Sequence, residues 1–249
     1  ARLAARAGLR VGAGLVRVYA TPEVAPVYAP HLEAVMLSTY AGAGELGGQA
    51  QVLKAAIIGP AAGLDQHTRD NLAALAAAPP ALVVDADAIT LYRDDPEALF
   101  ALLEPRDVLT PHEGEFDRIF PGLLQAGPDR LTIAREAARR AGAVVVLKGP
   151  DTVVAAPDGR AAINTNGARW LATAGSGDVL AGLIGGLMAQ GLDSFDAACA
   201  GVWIHAEAGA RFGPGLIAED LPEQIPAVLK TLWLTSQNQA EGTAHLSPG

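Results

Sequence analysis

Residues 172–182 read ATAGSGDVLAG, a run of small residues and one aspartate leading into an apolar, helix-like stretch. Ala174, Gly175, Ser176 and Gly177 carry no bulky side chain, so a ligand can approach the backbone closely. A helix beginning near Gly177 turns its free N–H groups and the positive end of its dipole toward that ligand, making an anion site. Asp178 then stands in the first turn beside the anion. A carboxylate is a poor phosphate binder, because the two charges repel. It is a good base for a hydroxyl whose oxygen attacks phosphorus while the N–H groups stabilise the charge on the phosphoryl group. The alternative is structural: Asp178 complements the helix dipole and the glycines form a tight turn.

The elements that must position these residues are short β-branched runs alternating with Ala/Leu-rich helical patterns. Strands are expected at 15–20, 55–59, 81–85, 107–110 and 143–148, each apolar on both faces. Helices are expected near 64–78, 96–104, 113–120 and 129–141, then at 179–190 and 195–212. The alternation predicts βαβ units in a doubly wound, mainly parallel α/β sheet with helices on both faces. TVVAAPDGRAAIN, from residue 152, predicts a hairpin around Pro-Asp-Gly. The glycine-rich GAGELGG at 42–48 reads as a loop. One domain is expected over 1–234, followed by a disordered tail over 235–249.

Ligands of open α/β sheets bind beyond the carboxyl ends of the strands. The polar or small residues there are Gly59, Pro60 and Gly63, Asp85 and Asp87, His112, Glu113 and Glu115, and Lys148 through Thr152. Each has a plainer reading. Lys148 either snorkels or holds an anion, and the anion is favoured. Asp85 and Asp87 are expected to cap the following helix. His112 is either a structural histidine or a ligand contact. His205 and Cys199, in a helix of small residues, are expected to be core, with no positive group near Cys199 to activate it.

Composition narrows the classes. The chain has 249 residues, 50% hydrophobic and 18% charged, which suits a globular protein with a substantial core. A net charge of −9 argues against a nucleic-acid surface. A single cysteine excludes an internal disulfide framework and fits a reducing, cytoplasmic setting. No apolar run reaches the roughly 18 residues of a membrane span. Three lysines stand against fifteen arginines in an alanine-rich chain, the pattern of a GC-rich prokaryotic gene.

Read together, GAGLVRVYATPE, IIGPAAG, VVDADAIT, LTPHEGEF, LKGPDTVV, NTNGARWLATAGSGDVLAG and AEDLPEQIP give the chain a family resemblance. From about Ala1 to about Val228 it resembles the ribokinase-like superfamily, and within it the ADP- or ATP-dependent NAD(P)H-hydrate dehydratases. AGSGDVLAG carries the superfamily; LTPHEGEF, KGPDT and the DADA segment point to the dehydratase branch. The resemblance implies a ribokinase-like fold whose opening strand and Gly-rich loop belong ahead of Ala1. It also implies dehydration of the S epimer of hydrated NADH or NADPH, with ADP (or ATP) as co-substrate and Mg²⁺ as cofactor.

Residue by residue, the resemblance makes Asp178 the catalytic base in contact with the hydrated nicotinamide, and puts Gly63 and His112 on the hydrate. Lys148, Gly149, Pro150, Asp151 and Thr152, with Gly175, Ser176 and Gly177, would hold the nucleotide. Glu115 matches an acidic residue that helps organise Mg²⁺ in related kinases, through water here, because His112 replaces the usual Asn three positions earlier. A homotetramer and a separate NAD(P)H-hydrate epimerase are the implied partners. The competing reading is a small-molecule kinase of the same fold, of the hydroxymethylpyrimidine or thiazole type. Departures from the family pattern are Ala61 and Ala62, where glycine and a larger apolar residue are common, and Trp170, which has no assigned role.

Overall fold

Val144, Val145, Val146 and Leu147 are all buried, and successive side chains of a strand point to opposite faces, so this strand needs cover on both sides. A computed structural model of the protein, describing residues 1–244, supplies that cover. The chain opens with α1 (Arg2–Arg10), β1 (Arg17–Ala20), α2 (Ala25–Tyr28), β2 (Met36–Thr39) and α3 (Ala43–Ala50). It continues through β3 (Ala55–Ile58), α4 (Gln66–Ala76), β4 (Ala81–Val84), α5 (Asp87–Thr90), α6 (Pro96–Phe100) and β5 (Val108–Leu109). Then come α7 (Glu113–Ile119), α8 (Leu123–Ala126), α9 (Arg130–Ala141), β6 (Val144–Leu147), β7 (Val153–Ala155) and β8 (Ala161–Ile163). Three long helices follow: α10 (Ser176–Ala189), α11 (Ser194–Phe212) and α12 (Leu221–Ala244).

The main sheet has the order β3-β4-β5-β6-β7-β8. Strands β3 to β6 run parallel, and the β6-β7-β8 meander is antiparallel, its last pair being the expected hairpin. Leu82, Val84, Val145 and Leu147 face one core, built with α4, α7 and α9, which contribute Leu72, Phe116 and Ala137. Val83, Val144 and Val146 face the other, built with α1, α10, α11 and α12, which contribute Ala7, Leu183, Val202 and Ile225. This is the doubly wound arrangement the sequence predicts.

Three expectations are corrected. The strand at 17–20 is not part of the main sheet: β1 pairs in parallel with β2, which the sequence reading omits, in a separate two-stranded sheet. Residues 43–50 form α3 and not a loop, because Leu46 and Ala50 give the segment a buried side despite its glycines. The chain also stays helical past Thr235, through Ala244 in α12. Alanine, glutamine and glutamate in this stretch are good helix formers, and no proline interrupts it there. The rest of the expected tail, 245–249, lies outside the described residues.

Helix α10 is pressed against α1 along a seam of small residues. A Cβ on Gly182 would stand 2.2 Å from the Ala4 carbonyl oxygen, and one on Gly186 would stand 2.9 Å from that of Gly8. At Gly182 such a methyl would meet only backbone, and at Gly186 it would meet Val11 Cγ1 at 2.5 Å as well as the Gly8 backbone, so neither position accepts alanine without the helices shifting apart. The seam fixes where the first turn of α10 sits.

Candidate active site at the start of helix α10

Because β3 to β6 are parallel, the residues following them meet at one edge of the sheet. Asp85, one residue past β4, is 1% exposed. Its Oδ1 accepts from Thr110 Oγ1 at 2.8 Å and from Lys148 Nζ at 3.0 Å. Lys148 Nζ also lies 3.7 Å from Glu115 Oε2. The anion that Lys148 holds is thus the protein's own carboxylate. Nor do Asp85 and Asp87 cap α5, as the sequence suggests, since the N-cap is Ala86. Asp85 points inward to Lys148, and the Asp87 carboxylate accepts the Gly63 N–H at 3.0 Å.

The turn that sends the two aspartates different ways is strained. Ala86 sits between them at φ 50°, ψ −117°, and Ala61 in the neighbouring loop has φ 55°. Non-glycine residues occupy such regions at a cost of order 1–3 kcal/mol. Gly59 leaves no choice at all: a Cβ there would stand 1.7 Å from the Asp85 carbonyl oxygen.

His112 is the N-cap of α7. Its Nδ1 accepts from the N–H groups of Gly114 and Glu115 at 3.0 and 3.3 Å, so the ring proton belongs on Nε2. Glu115 returns the bond, its Oε2 accepting the His112 N–H at 2.9 Å in a capping box. The 6% exposed Glu115 therefore has one oxygen on the backbone and beside Lys148, and the other 3.4 Å from His112 Nε2. That donor set does not fit direct metal ligation. No cluster of three or more His, Cys, Asp or Glu suited to a metal ion occurs among the described residues.

The Lys148–Thr152 loop is braced by Arg130, which sequence reasoning missed. Its guanidinium pairs with Asp151 at 3.0 Å and Glu113 at 2.5 Å, and donates to the Lys148 carbonyl at 3.3 Å. Gly149 and Thr152 close the loop on themselves through Thr152 Oγ1. A Cβ on Gly167 would stand 2.6 Å from the Pro150 oxygen, so the segment ahead of α10 lies directly on this loop. Only a long cation spacing of 17 residues or more linked Arg130 to its partners, a signal that periodicity does not carry.

Over these groups stands α10. Gly175, in the left-handed region at φ 85°, is its N-cap. Ser176 N–H donates to Thr173 O, and Val179 N–H to Gly175 O. Among the described residues the N–H groups of Gly175, Gly177 and Asp178 have no hydrogen-bond partner within the protein, so the first turn offers donors outward. A Cβ on Gly177 would lie 3.3 Å from Lys148 Nζ and 3.9 Å from Asp85 Oδ2. The turn at Gly177 thus rests closely over the buried ion pair, and a side chain there would have to push the lysine end aside. The Asp178 carboxylate is part-exposed, with Oδ2 3.4 Å from the Ala1 nitrogen. The Ser176 hydroxyl points inward to His205 Nε2 at 3.0 Å. Burial pushes the His205 imidazole down to about 4, so it is neutral at physiological pH.

A family model described as NAD(P)H-hydrate dehydratase matches residues 1–227. The chain belongs to the NAD(P)H-hydrate dehydratase family. Among curated relatives of this family it is 34% identical, over 253 residues, to the ADP-dependent (S)-NAD(P)H-hydrate dehydratase of Xanthomonas campestris pv. campestris, covering 92% of this chain and 83% of that one. The chain spans about half the length, or less, of most other curated relatives it matches. It is also similar to the ADP/ATP-dependent NAD(P)H-hydrate dehydratase from Bacillus subtilis co-crystallized with ATP/Mg²⁺, at TM-score 0.75 and 26% identity over 93% of this chain and 84% of that one. A ribokinase-like superfamily protein from Enterococcus faecalis, at 24% identity, 92% and 81% coverage and TM-score 0.77, shares the fold.

Within that family frame, the residues expected to form the site fall into one connected set. Gly175 to Asp178, Lys148, Glu115 and His112 are in contact or joined by single polar contacts, and Gly63 lies beside them, its N–H on Asp87, two residues after Asp85. Gly149 to Thr152 flank them. Asp85 is the member that the sequence misassigns, since a strand-end aspartate looks like a cap until its partner is known. Trp170, unassigned from sequence, is half-buried against the α10 side of the core, with the Arg169 guanidinium 4.3 Å from its ring centre.

Proposed function

We propose that the protein removes water from the S epimer of hydrated NADH or NADPH at the expense of ADP, yielding NAD(P)H, AMP and phosphate. The observation that carries this reading is the first turn of α10, with unpartnered N–H groups beside the Asp178 carboxylate. In the proposed reaction the N–H groups of Gly175 and Gly177 hold the terminal phosphoryl group of the nucleotide. Asp178 takes the proton of the substrate hydroxyl as that oxygen bonds to phosphorus and the bond to AMP breaks. Hydroxide is a poor leaving group and phosphate a good one. The phosphorylated C–O bond then breaks, helped by the ring nitrogen lone pair, and loss of a proton from the adjacent ring carbon restores the dihydronicotinamide.

Gly63 and His112 are assigned to the hydrate, and Lys148 to Thr152 to the nucleotide. The carboxylates of Asp85, Glu115 and Asp178 outnumber the one ammonium of Lys148 near the α10 terminus, a field in which a polyphosphate calls for an accompanying cation. Mg²⁺ bound to the nucleotide would supply that charge, with Glu115 acting at most through water. A homo-oligomer, read as a tetramer, is supported by Leu232, Trp233 and Leu234 on α12, which are 41%, 60% and 46% exposed. A cytoplasmic setting rests on the single cysteine; no helix among the described residues is long and apolar enough to cross a membrane. A separate NAD(P)H-hydrate epimerase would complete the repair.

The test is incubation with hydrated NADH, ADP and MgCl₂ while following absorbance of the restored dihydronicotinamide, with kcat/KM compared for ADP and ATP. Faster turnover with ATP would reverse the nucleotide assignment and keep the dehydratase. A product carrying a stable phosphate ester would instead establish the kinase reading.

A further inference from the structure

The one buried histidine of the α10–α12 face has no part in the reaction just described. His205 lies on α11, 8% exposed, and its Nε2 is 3.0 Å from the hydroxyl of Ser176, the first residue of α10. Ser176 is itself 4% exposed. Ser176 is the first helical residue, after the Gly175 cap, and a serine in that place ordinarily turns its hydroxyl out to solvent. Here the hydroxyl is drawn the other way, into the protein. The N–H groups of Gly177 and Asp178, immediately after it, are left without a partner.

Charge matters as well as direction. A protonated imidazole here would add a second positive charge near Lys148, whose own charge opposes it. Burial among apolar side chains keeps the ring neutral, so it acts only as a hydrogen-bond partner. No other described side chain bonds the Ser176 hydroxyl.

We propose that His205 is a positioning residue for nucleotide binding: by holding the Ser176 hydroxyl inward, it fixes the first turn of α10 so that its N–H groups are oriented toward the phosphates. The inference rests on the nucleotide docking at α10, as proposed above. The step is one of orientation, with no bond made or broken at His205.

The experiment compares wild type with His205→Leu, His205→Gln and Ser176→Ala. ADP affinity is measured by calorimetry in MgCl₂, and KM for ADP, KM for hydrated NADH and Tm are measured alongside. Loss of one hydrogen bond in a positioning role should weaken ADP binding about tenfold in His205→Leu, with KM for the hydrate unchanged. His205→Gln carries an amide where Nε2 lies and should recover most of that loss. Ser176→Ala removes the same bond from the other side without emptying the histidine's site, and should reproduce the selective loss even if His205→Leu does not fold. Equal weakening toward both substrates, tracking Tm and not rescued by glutamine, would reduce His205 to packing and overturn the proposal. Unchanged ADP affinity in Ser176→Ala would also overturn it while leaving the dehydratase reading standing. Wild-type protein that binds no ADP would overturn both.

Discussion

Asp85 and Lys148, 63 positions apart, form a 3.0 Å ion pair directly beneath Gly177, with the carboxylate 2% and the ammonium 19% exposed at their side chains. Two different demands meet in it. The buried carboxylate needs the lysine, and the α10 terminus needs a level base of polar atoms on which a residue without a side chain can rest. Breaking a buried pair by removing one partner is costly because the other charge is stranded.

Lys148→Met should therefore destabilise the fold by about 3 kcal/mol and weaken nucleotide binding as well. Adding Asp85→Asn removes the stranded charge, so the double variant should regain most of the stability and none of the binding. Urea unfolding of the two variants, paired with an ADP titration, separates these effects. Full stability in Lys148→Met alone would show that Asp85 does not depend on the pair.

Asp178→Asn keeps the size of the side chain and removes the proton acceptor. Turnover should fall by a factor on the order of 10² to 10⁴, while ADP affinity holds or improves because a negative charge beside the phosphates is gone. Steady-state rates at saturating ADP and hydrate decide the matter. Near-wild-type turnover would remove Asp178 from the chemistry.

Ala61 and Ala86, both at positive φ, give an inverted expectation. Alanine to glycine normally lowers stability by roughly 0.5–1 kcal/mol. At these two positions the strain relieved is of order 1–3 kcal/mol, so Ala86→Gly and Ala61→Gly should each leave Tm unchanged or raise it. A clear fall in Tm at either position would refute the strained backbone there.

The pH dependence of stability follows from His205. Its folded-state value is pushed from 6.5 down to about 4, chiefly by burial, with a bond to the Ser176 backbone opposing and the nearby Lys148 charge adding to the fall. The unfolded chain takes up the proton first as pH falls. The contribution is present in full above about pH 6.5 and is lost as pH drops toward 4, on the order of 3 kcal/mol in all. Unfolding free energies at pH 7, 6 and 5 should fall more steeply for wild type than for His205→Gln, which has no group to titrate. Parallel curves would contradict the assignment.

Cys199 is pushed up to about 11 by burial, with the Asp196 charge adding to it. At pH 8 roughly one thiol in a thousand would be ionised, so alkylation by iodoacetamide should run about a hundredfold slower than for free cysteine. Mass spectrometry of the alkylated fraction over time measures this directly. Reaction at the free-cysteine rate would show an exposed, ordinary thiol.

What could be read from sequence was what is local. Val144 to Leu147, and Ala81 to Val84, announce buried parallel strands because four successive apolar residues, valine among them, leave no polar face. The hairpin after Thr152 is announced by Pro157, Asp158 and Gly159. Asp178 is legible because small residues precede it and an apolar helix follows. Asp85 was misread because only the fold brings Thr110 and Lys148 to its carboxylate. Arg130 and His205 passed unnoticed as site residues for the same reason: each acts through a partner 17 or more positions away. Strand β2 escaped because its short MLST run is flanked by a weak pattern, and its partner β1 was credited to the main sheet.

The seam between α1 and α10 also has a consequence in time. The Gly182 backbone lies close enough to that of Ala4 to leave no room for a Cβ, yet a ribosome adding 5–20 residues per second needs roughly 10–35 s to make the chain between them. Throughout that interval the apolar side of α1, with Ala4, Ala5 and Ala7, has no helix to cover it. The parallel strands β3 to β6 can assemble with α4, α7 and α9 meanwhile, since those partners are already synthesised. The half of the molecule that carries the α10 terminus can close only after α10 itself has been made, well after the strands β3 to β6 have their partners.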